Sequence, residues 1–373
     1  MSKIFLIGDV HIGLGYPNKV DKWHKTHIEY FDQFLIPLLK DKVVNGDIIV
    51  MLGDLFDNRN IIPINLMNYA MDVVESISKI APLHIIIGNH DLWSKSMSEI
   101  NSVRPLRYIK NVTVYDSVGV LEFNNLKILM MPYLEDKNDQ IQYIQKYKYC
   151  DYLFCHSDLN GCKMHLTSVA NRNMDKIDID EFKYFRMVRS GHIHLVQKNS
   201  NFTFVGSIFQ MDRNDFGDQK GIFVIDTNND NELFYPNNIS PVFKKISILN
   251  EFDIDNLDKF KNSKDYVDLS ISNNLLVSNR KFRRKLETIL ESGNFSSIEY
   301  IDDINKVTKD EKVDESNTNN IDITISTNID YVNFIEEYIN TTINNVTYKE
   351  GILCEFGEIV RIYNENYRLN QSS

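Results

Sequence analysis

The stretch Leu83-His-Ile-Ile-Ile-Gly-Asn-His-Asp91 decides the fold, because an apolar run of strand length ends abruptly in polar residues. Short runs of apolar, β-branched residues that stop at a glycine are typical of buried parallel strands. In open α/β sheets, ligands bind outside the carboxyl ends of such strands. The stretch therefore predicts a central strand that delivers Asn89, His90 and Asp91 to the functional edge of a sheet.

Four other apolar runs along the chain end in the same way. The polar side chains that follow them are Asp9 and His11, Asp54 and Asp57, His156, and His192 and His194. Because the carboxyl ends of parallel strands meet at one edge of a sheet, we expect these groups to converge. A cluster of carboxylate, amide and imidazole groups is typical of a transition-metal site. The sequence thus predicts a metal centre assembled from several strands.

These motifs, in this order and spacing, resemble those of the calcineurin-like metallophosphoesterases over roughly the first 225 residues. The matching segments are Asp9-Val-His11, Gly53-Asp-Leu-Phe-Asp57, Gly88-Asn-His-Asp91, His156 and Gly191-His-Ile-His194. Four segments resemble more narrowly the SbcD-type nucleases, the DNA-cutting subunits of double-strand-break processing complexes, and among them the tailed-phage recombination endonuclease subunits. They are Gly53-Asp-Leu-Phe-Asp57, His156-Ser-Asp-Leu-Asn-Gly161, Ser190-Gly-His-Ile-His194 and Phe204-Val-Gly-Ser-Ile208.

The resemblance implies two divalent metal ions, with manganese expected because the nuclease branch typically uses it. Two ions about 3.5 to 4 Å apart need a bridging carboxylate, and Asp54 is expected to be that bridge. The implied ligands of the first ion are Asp9, His11, Asp54 and His194. Those of the second ion are Asp54, Asn89, His156 and His192.

Other residues of the motifs have roles in catalysis by the same resemblance. His90 is expected to contact the scissile phosphate and protonate the leaving oxygen, and Asp91 to orient His90. Asp57 is interpreted as an acceptor that holds a ligand imidazole, or as a cap for the next segment. His27, on a predicted helix, has either a packing role or a role behind the metal ligands.

The order of the predicted elements gives the fold class. A βαβα alternation at the start predicts a parallel sheet, and shorter strands after Asn111 predict a second sheet. We therefore expect an α/β fold, a four-layer αββα metallophosphoesterase sandwich over residues 1–240. A small α+β capping domain is expected at 241–304 and a flexible, polar linker at 305–328. Residues 329–373 are expected to form a helix pair that binds the ATPase partner, or packs on the main body.

Composition limits the possible partners. The chain has 373 residues and a net charge of −11, which argues against a freestanding nucleic-acid binder because affinity for duplex DNA rests largely on basic residues. Metal ions or a basic partner would have to compensate. One basic cluster could touch DNA phosphates or form a solvated face: Arg280, Lys281, Arg283, Arg284 and Lys285. Neither a signal peptide nor a membrane span is predicted, so we expect a cytoplasmic protein, in the host cell if viral.

The predicted function is a metal-dependent DNA exonuclease and endonuclease subunit. It would act on DNA in recombination and double-strand-break end processing as a homodimer, with a coiled-coil ATPase subunit of the SbcC type. The alternatives are a small-molecule or cyclic-nucleotide phosphodiesterase of the same superfamily and a non-catalytic scaffold for the ATPase. A protein phosphatase is disfavoured, because Asp57-Asn-Arg59 and Asp91 stand where that family usually has Asp-Arg-Gly and Glu.

Overall fold

The computed structural model describes residues 2–301, apart from 16–18, 95–96, 171–172, 174, 251–252, 255–256, 258–262, 274, 276–278 and 293–294. The strands are β1 (Lys3–Ile7), β2 (Ile48–Met51), β3 (Leu83–Ile86), β4 (Leu92–Ser94), β5 (Met97–Asn101), β6 (Val112–Tyr115), β7 (Gly119–Phe123), β8 (Leu126–Met131), β9 (Tyr152–His156), β10 (Met187–Gly191), β11 (Gln197–Asn199), β12 (Phe202–Phe204), β13 (Gly221–Asp226), β14 (Asn231–Pro236), β15 (Phe243–Ile248), β16 (Tyr266–Ser272) and β17 (Phe295–Ile301). The helices are α1 (Val20–Tyr30), α2 (Ile36–Lys42), α3 (Ile64–Ser78), α4 (Lys137–Lys146) and α5 (Arg280–Ser292).

Two six-stranded sheets form the body of the protein. The first has the order β14-β13-β1-β2-β3-β6, in which β1, β2, β3 and β6 pair in parallel and β13 pairs antiparallel with both neighbours. The second has the order β11-β12-β10-β9-β8-β7, with a parallel centre of β12, β10, β9 and β8. Each parallel centre therefore presents several strand carboxyl ends at one edge.

Alternate residues of each central strand are buried on opposite faces of its sheet. In β1, Ile4 and Leu6 share a core with Ile128 and Phe154 of the second sheet, whereas Phe5 and Ile7 belong to the core that contains the residues of α1 and α3. Burial on both faces explains why these strands are continuously apolar. This arrangement confirms the predicted α/β fold with two sheets between helical layers.

The boundaries of several elements differ from the prediction. The first long helix is interrupted by a π-helical turn at Phe31–Leu35, and Pro37 lies in the first turn of the helix that follows it. The antiparallel pair β4 and β5, directly after the Gly88 loop, was not predicted. Asn124 and Asn125 form the hairpin turn that joins β7 to β8, and both have positive φ.

A smaller α+β unit follows β14. Strands β15, β16 and β17 pair in parallel, and α5 buries Phe282, Leu286 and Ile289 in a core of its own with the sheet. This unit lies within residues 241–304, and the predicted domain boundaries and capping role stay predictions. The predicted linker and helix pair lie outside the described residues. Within the described part of the chain, no helix is long and apolar enough to cross a membrane.

Candidate metal centre

The structure brings the predicted metal ligands together at the carboxyl ends of the parallel strands of both sheets. The loops after β1, β2 and β3 contribute residues from the first sheet, namely Asp9, His11, Asp54, Asn89 and His90. The end of β9 and the loop after β10 contribute residues from the second sheet, namely His156, His192 and His194. The site thus lies where the two sheets meet rather than at the edge of one.

Three of the site residues have a backbone conformation that L-amino acids rarely adopt. The φ angles are +54° for His11, +51° for Asp54 and +81° for His192. A non-glycine residue in this region typically costs on the order of 1 kcal/mol or more. Residues held in this way cluster at functional sites, because the surrounding fold must hold them there.

Two glycines let the loops approach closely enough to form the site. A Cβ atom on Gly53, which has a φ of +104°, would lie 2.3 Å from Nδ1 of His156. A Cβ atom on Gly88 would lie 2.1 Å from Oδ1 of Asp54. Any side chain at these positions would therefore displace a site residue.

The carboxylate of Asp54 lies between two groups of donor atoms. Its Oδ2 is 3.3 Å from Nε2 of His156 and 3.7 Å from Nε2 of His11. Its Oδ1 accepts a hydrogen bond of 2.8 Å from the backbone N–H of His90. Asp54 therefore has the position that a bridging carboxylate requires.

The first group of donors contains His11, His194 and Asp9. The Nε2 atoms of His11 and His194 are 3.1 Å apart. Asp9 accepts a hydrogen bond from the backbone N–H of His192 through Oδ1, but its buried Oδ2 has no hydrogen-bond partner among the described residues. A buried carboxylate oxygen without a donor is costly unless a cation neutralises it. This unpartnered oxygen fits a metal ligand.

The second group contains Asn89, His156 and His192. Oδ1 of Asn89 is 3.0 Å from Nε2 of His156 and 2.8 Å from Nδ1 of His192. Those two ring nitrogens are 3.3 Å apart. Together with Asp54, they present carboxylate, amide and imidazole donors to one small volume, as a transition metal requires.

Hydrogen bonds on the far side of the imidazoles direct one ring nitrogen toward the site. Nδ1 of His11 donates to Oδ1 of Asp57 at 3.1 Å, and Nδ1 of His156 donates to the carbonyl of Leu52 at 2.7 Å. The Nε2 atom of each ring is then free to hold a metal. Asp57 contacts His11 in the way that its interpretation as an imidazole acceptor requires.

His90 and Asp91 differ in part from their expected arrangement. Nδ1 of His90 donates to the backbone carbonyl of Asp57 at 2.6 Å. The carboxylate of Asp91 accepts instead from the backbone N–H groups of Phe56 and Gly88, at 3.1 and 2.9 Å. The expectation that Asp91 orients His90 is therefore corrected: Asp91 joins two loops, because its buried carboxylate needs several donors.

His90 also lies close to two of the metal ligands. A nitrogen of its ring lies within 4.8 Å of donor atoms of His11 and Asp54. A phosphate oxygen bound at the first group of donors would thus be within reach of His90. This position suits a general acid, and it also makes His90 a possible ligand.

Burial and neighbouring charges shift the pKa values of several site residues. Burial opposes the ionisation of Asp54, but the imidazoles of His156 and His11 outweigh it and hold the pKa of the carboxyl well below its usual value. Burial likewise opposes the charged form of His156, but Asp54 and Asp9 raise its pKa to about 9. Burial, aided by the charge of Asp54, raises the pKa of Asp91 to about 6. The proton on His156 is one that a metal ion would displace.

Sequence reasoning missed two residues that support the site and left the role of a third open. Oδ2 of Asp158 accepts from Nε2 of His192 at 3.2 Å, and Nζ of the buried Lys220 donates to the carbonyl of His194 at 2.6 Å. His27, for which two roles were open, is fully buried and 2.7 Å from the carbonyl of Val10. Asp158 stands within a quoted motif, whereas no pattern in the sequence marks Lys220.

The five basic residues Arg280, Lys281, Arg283, Arg284 and Lys285 lie on the exposed side of α5, in the smaller α+β unit. Their part in DNA binding stays a prediction. The three described cysteines, Cys150, Cys155 and Cys162, are buried free thiols.

The arrangement has the parts needed for hydrolysis of a phosphate ester. Donors of both groups could hold two divalent ions on either side of Asp54, and such ions activate a water molecule and stabilise the charge of the transferred phosphoryl group. The residues of this chain keep the donor atoms in place through Asp57, Leu52 and Asp158. His90 lies beside the first group, where it could hold or donate a proton.

Comparison with known proteins agrees with this geometry. The family model described as calcineurin-like phosphoesterase matches residues 2–196, just over half of the chain. Exonuclease subunit 1 of Enterobacteria phage T4 is 27% identical over 241 residues, which are 63% of this chain and 68% of the relative. Protein 244L of Invertebrate iridescent virus 6, whose name describes a phosphoesterase, is 26% identical over 56% of this chain and 70% of its own length.

One solved structure, that of protein AQ665 of unknown function from Aquifex aeolicus, is 15% identical. It covers 50% of this chain and 94% of its own, with a TM-score of 0.27, which is too low to bear on function. The motifs, the two facing sheets and the match over residues 2–196 agree with one another. The chain belongs to the calcineurin-like phosphoesterase family.

Proposed function

We propose that this protein is the nuclease subunit of a DNA end-processing complex. It hydrolyses phosphodiester bonds of DNA with two manganese ions, acts in recombination and double-strand-break processing, and works as a homodimer with a coiled-coil ATPase of the SbcC type. The observation that carries the proposal is the position of Asp54, whose Oδ2 lies between His11 and His156 of the two donor groups.

The donor set supports manganese. The described donor set has four imidazoles and three carboxylate or amide groups, with Asp54 counted among the three, and it has no thiolate. Imidazole suits first-row transition metals, whereas magnesium prefers oxygen ligands and water. A diester substrate also suits a two-ion centre, in which both the attacking and the leaving oxygen are stabilised.

Two further observations support DNA as the substrate and an assembly as the working form. The relative from phage T4 is named as an exonuclease subunit, which implies a partner for that protein. The basic side chains of α5 are exposed, so they could neutralise DNA phosphates. Because the whole chain has a net charge of −11, this cluster and the metal ions would have to supply most of the attraction.

The test is manganese-dependent cleavage of end-labelled duplex DNA by the purified protein, with bis-p-nitrophenyl phosphate as a generic diester. Asp54→Asn removes the charge between the two donor groups and should abolish both activities. Asp226→Asn is the matched control, because Asp226 ends strand β13 of the same sheet beside Lys3, at the start of β1, and its carboxylate accepts from Asn228 of its own turn. It should keep both activities.

Each result has a definite meaning. The proposal is supported if the wild type and Asp226→Asn cleave both substrates and Asp54→Asn cleaves neither. Hydrolysis of the generic diester without DNA cleavage, also when the ATPase partner is present, would replace it with a small-molecule phosphodiesterase. Absence of both activities in a protein loaded with manganese would leave the non-catalytic scaffold.

A further inference from the structure

A chain of ionic contacts reaches the metal centre from behind His192. Nζ of Lys176 is 2.8 Å from Oδ1 of Asp158, and Oδ2 of Asp158 is 3.2 Å from Nε2 of His192. Asp158 lies on the loop after β9, and Lys176 precedes the 3-10 turn at Ile179–Phe182. The contacts therefore connect a surface segment to the site.

His192 presents a different ring nitrogen to the site from His11 and His156. Those two residues present Nε2 and donate through Nδ1, whereas His192 presents Nδ1, which is 2.8 Å from Oδ1 of Asn89. A neutral imidazole carries one proton, so His192 can bind a metal only if that proton is on Nε2. An acceptor at Nε2 is needed to select this tautomer, and Asp158 provides it.

The ring of His192 also needs an external anchor. Its backbone φ of +81° is one that residues with a side chain rarely adopt, and its side chain is 18% exposed, whereas that of His156 is fully buried. Packing alone therefore constrains His192 less than it constrains His156. A charged acceptor on the exposed side compensates for this.

Lys176 completes the arrangement. Its side chain is 16% exposed and that of Asp158 is 29% exposed, so the pair is partly shielded from water. Without Lys176, the carboxylate of Asp158 could rotate into solvent. With it, both carboxylate oxygens are occupied and the one facing His192 is fixed.

We propose that Asp158 and Lys176 are positioning residues of the metal centre: Asp158 fixes the tautomer and the orientation of His192, and Lys176 fixes Asp158. The inference deepens the proposed function and rests on its metal centre. It does not depend on whether the substrate is DNA.

The experiment is manganese binding to the metal-free full chain, measured by isothermal titration calorimetry and by electron paramagnetic resonance. Asp158→Ala should lower the binding affinity of one of the two ions by about 10- to 100-fold, which is the usual effect of removing a partner that orients a ligand. The affinity of the other ion should not change. Asp158→Asn keeps an acceptor oxygen and should recover part of the lost affinity. The melting temperature of the metal-free protein should stay that of the wild type.

Asp178→Ala is the matched control. Asp178 lies in the same segment as Lys176, and its carboxylate accepts from Nδ2 of Asn160 at 2.7 Å rather than from a ligand histidine of the described site. It should bind both ions as the wild type does. A similar loss in this variant would assign the effect to the segment as a whole and overturn the role of Asp158.

Lys176→Met separates positioning from charge. Removal of a positive charge near a divalent ion would by itself tighten metal binding. A positioning role predicts the opposite: the second ion should bind more weakly to Lys176→Met, and Lys176→Arg should restore its affinity. Tighter binding in Lys176→Met, or two ions of wild-type affinity in Asp158→Ala, would overturn the proposal, whereas a wild type that binds no manganese would refute the metal centre itself.

Discussion

The imidazole of His90 donates its Nδ1 proton to the backbone carbonyl of Asp57 across 2.6 Å. This bond fixes the ring and leaves Nε2 as the nitrogen that can donate a proton to a leaving oxygen. His90→Asn should lower kcat by about 10²- to 10⁴-fold, the usual contribution of a general acid, while two manganese ions stay bound. Single-turnover kinetics and metal analysis of the same samples check this.

The control for His90 is His165→Asn, a half-buried histidine outside the site residues described above. It should leave kcat unchanged. Wild-type turnover in His90→Asn would exclude a proton-donating role, and loss of one ion would make His90 a ligand instead.

Gly88→Ala should inactivate the protein through a steric effect alone. The added Cβ would lie 2.1 Å from Oδ1 of Asp54, so the carboxylate between the donor groups must move. A displacement of this size in a positioned group costs on the order of 100-fold in rate. Gly119→Ala is the control, because its nearest contact would be an ordinary 3.4 Å. Equal activity of the two variants, measured with the generic diester, would contradict the structure.

Lys220→Met should destabilise the fold strongly. Nζ of Lys220 is 3.1 Å from Asp215 and 2.6 Å from Asp218, and all three side chains are buried. Removing the cation leaves two buried carboxylates unpaired, which typically costs about 3 to 5 kcal/mol. The free energy of unfolding in urea measures this, with the exposed Lys198→Met as control. A change below 1 kcal/mol, roughly that of an exposed ion pair, would show that the buried pairs contribute little.

His84 predicts a pH dependence of stability. Burial lowers its pKa to about 4 in the folded protein, against about 6.5 when unfolded. Between these values the unfolded chain binds a proton that the folded protein does not, so stability is complete above pH 6.5 and falls as the pH decreases toward 4. The loss from this group is up to roughly 3 kcal/mol.

The test compares unfolding free energies of the wild type and His84→Leu at pH 7 and pH 4.5. Because other groups titrate in both proteins, the difference between them isolates His84. The free energy of unfolding of His84→Leu, relative to that of the wild type, should be higher at pH 4.5 than at pH 7. An equal change of unfolding free energy with pH in both proteins would show that the folded protein accommodates a charged His84. The hydroxyl of Tyr115, 3.3 Å away, would then be its neighbour.

The sequence was sufficient for the fold and for the list of candidate ligands, and for a physical reason. Strands buried on both faces must be apolar, so a residue such as Asp54 at the end of such a run is conspicuous. The supporting contacts could not be predicted in the same way. Lys220 reaches His194 from 26 residues away through a loop, and nothing local distinguishes it from a surface lysine.

The error about Asp91 has a similar cause. The resemblance implied that Asp91 orients His90, but neighbouring side chains in a tight turn point in different directions. The buried Asp91 accepts from Phe56, 35 residues earlier, because its carboxylate bonds to backbone donors of both loops.

The left-handed backbone conformation of His11, Asp54 and His192 affects which substitutions evolution would favour at these positions. At these three positions the requirements of activity and of folding oppose each other, since glycine would relax the backbone and remove the ligand. In a copy released from selection for activity, these substitutions would be favoured first. Retention of all three residues would therefore distinguish a working copy from a relic of the same fold.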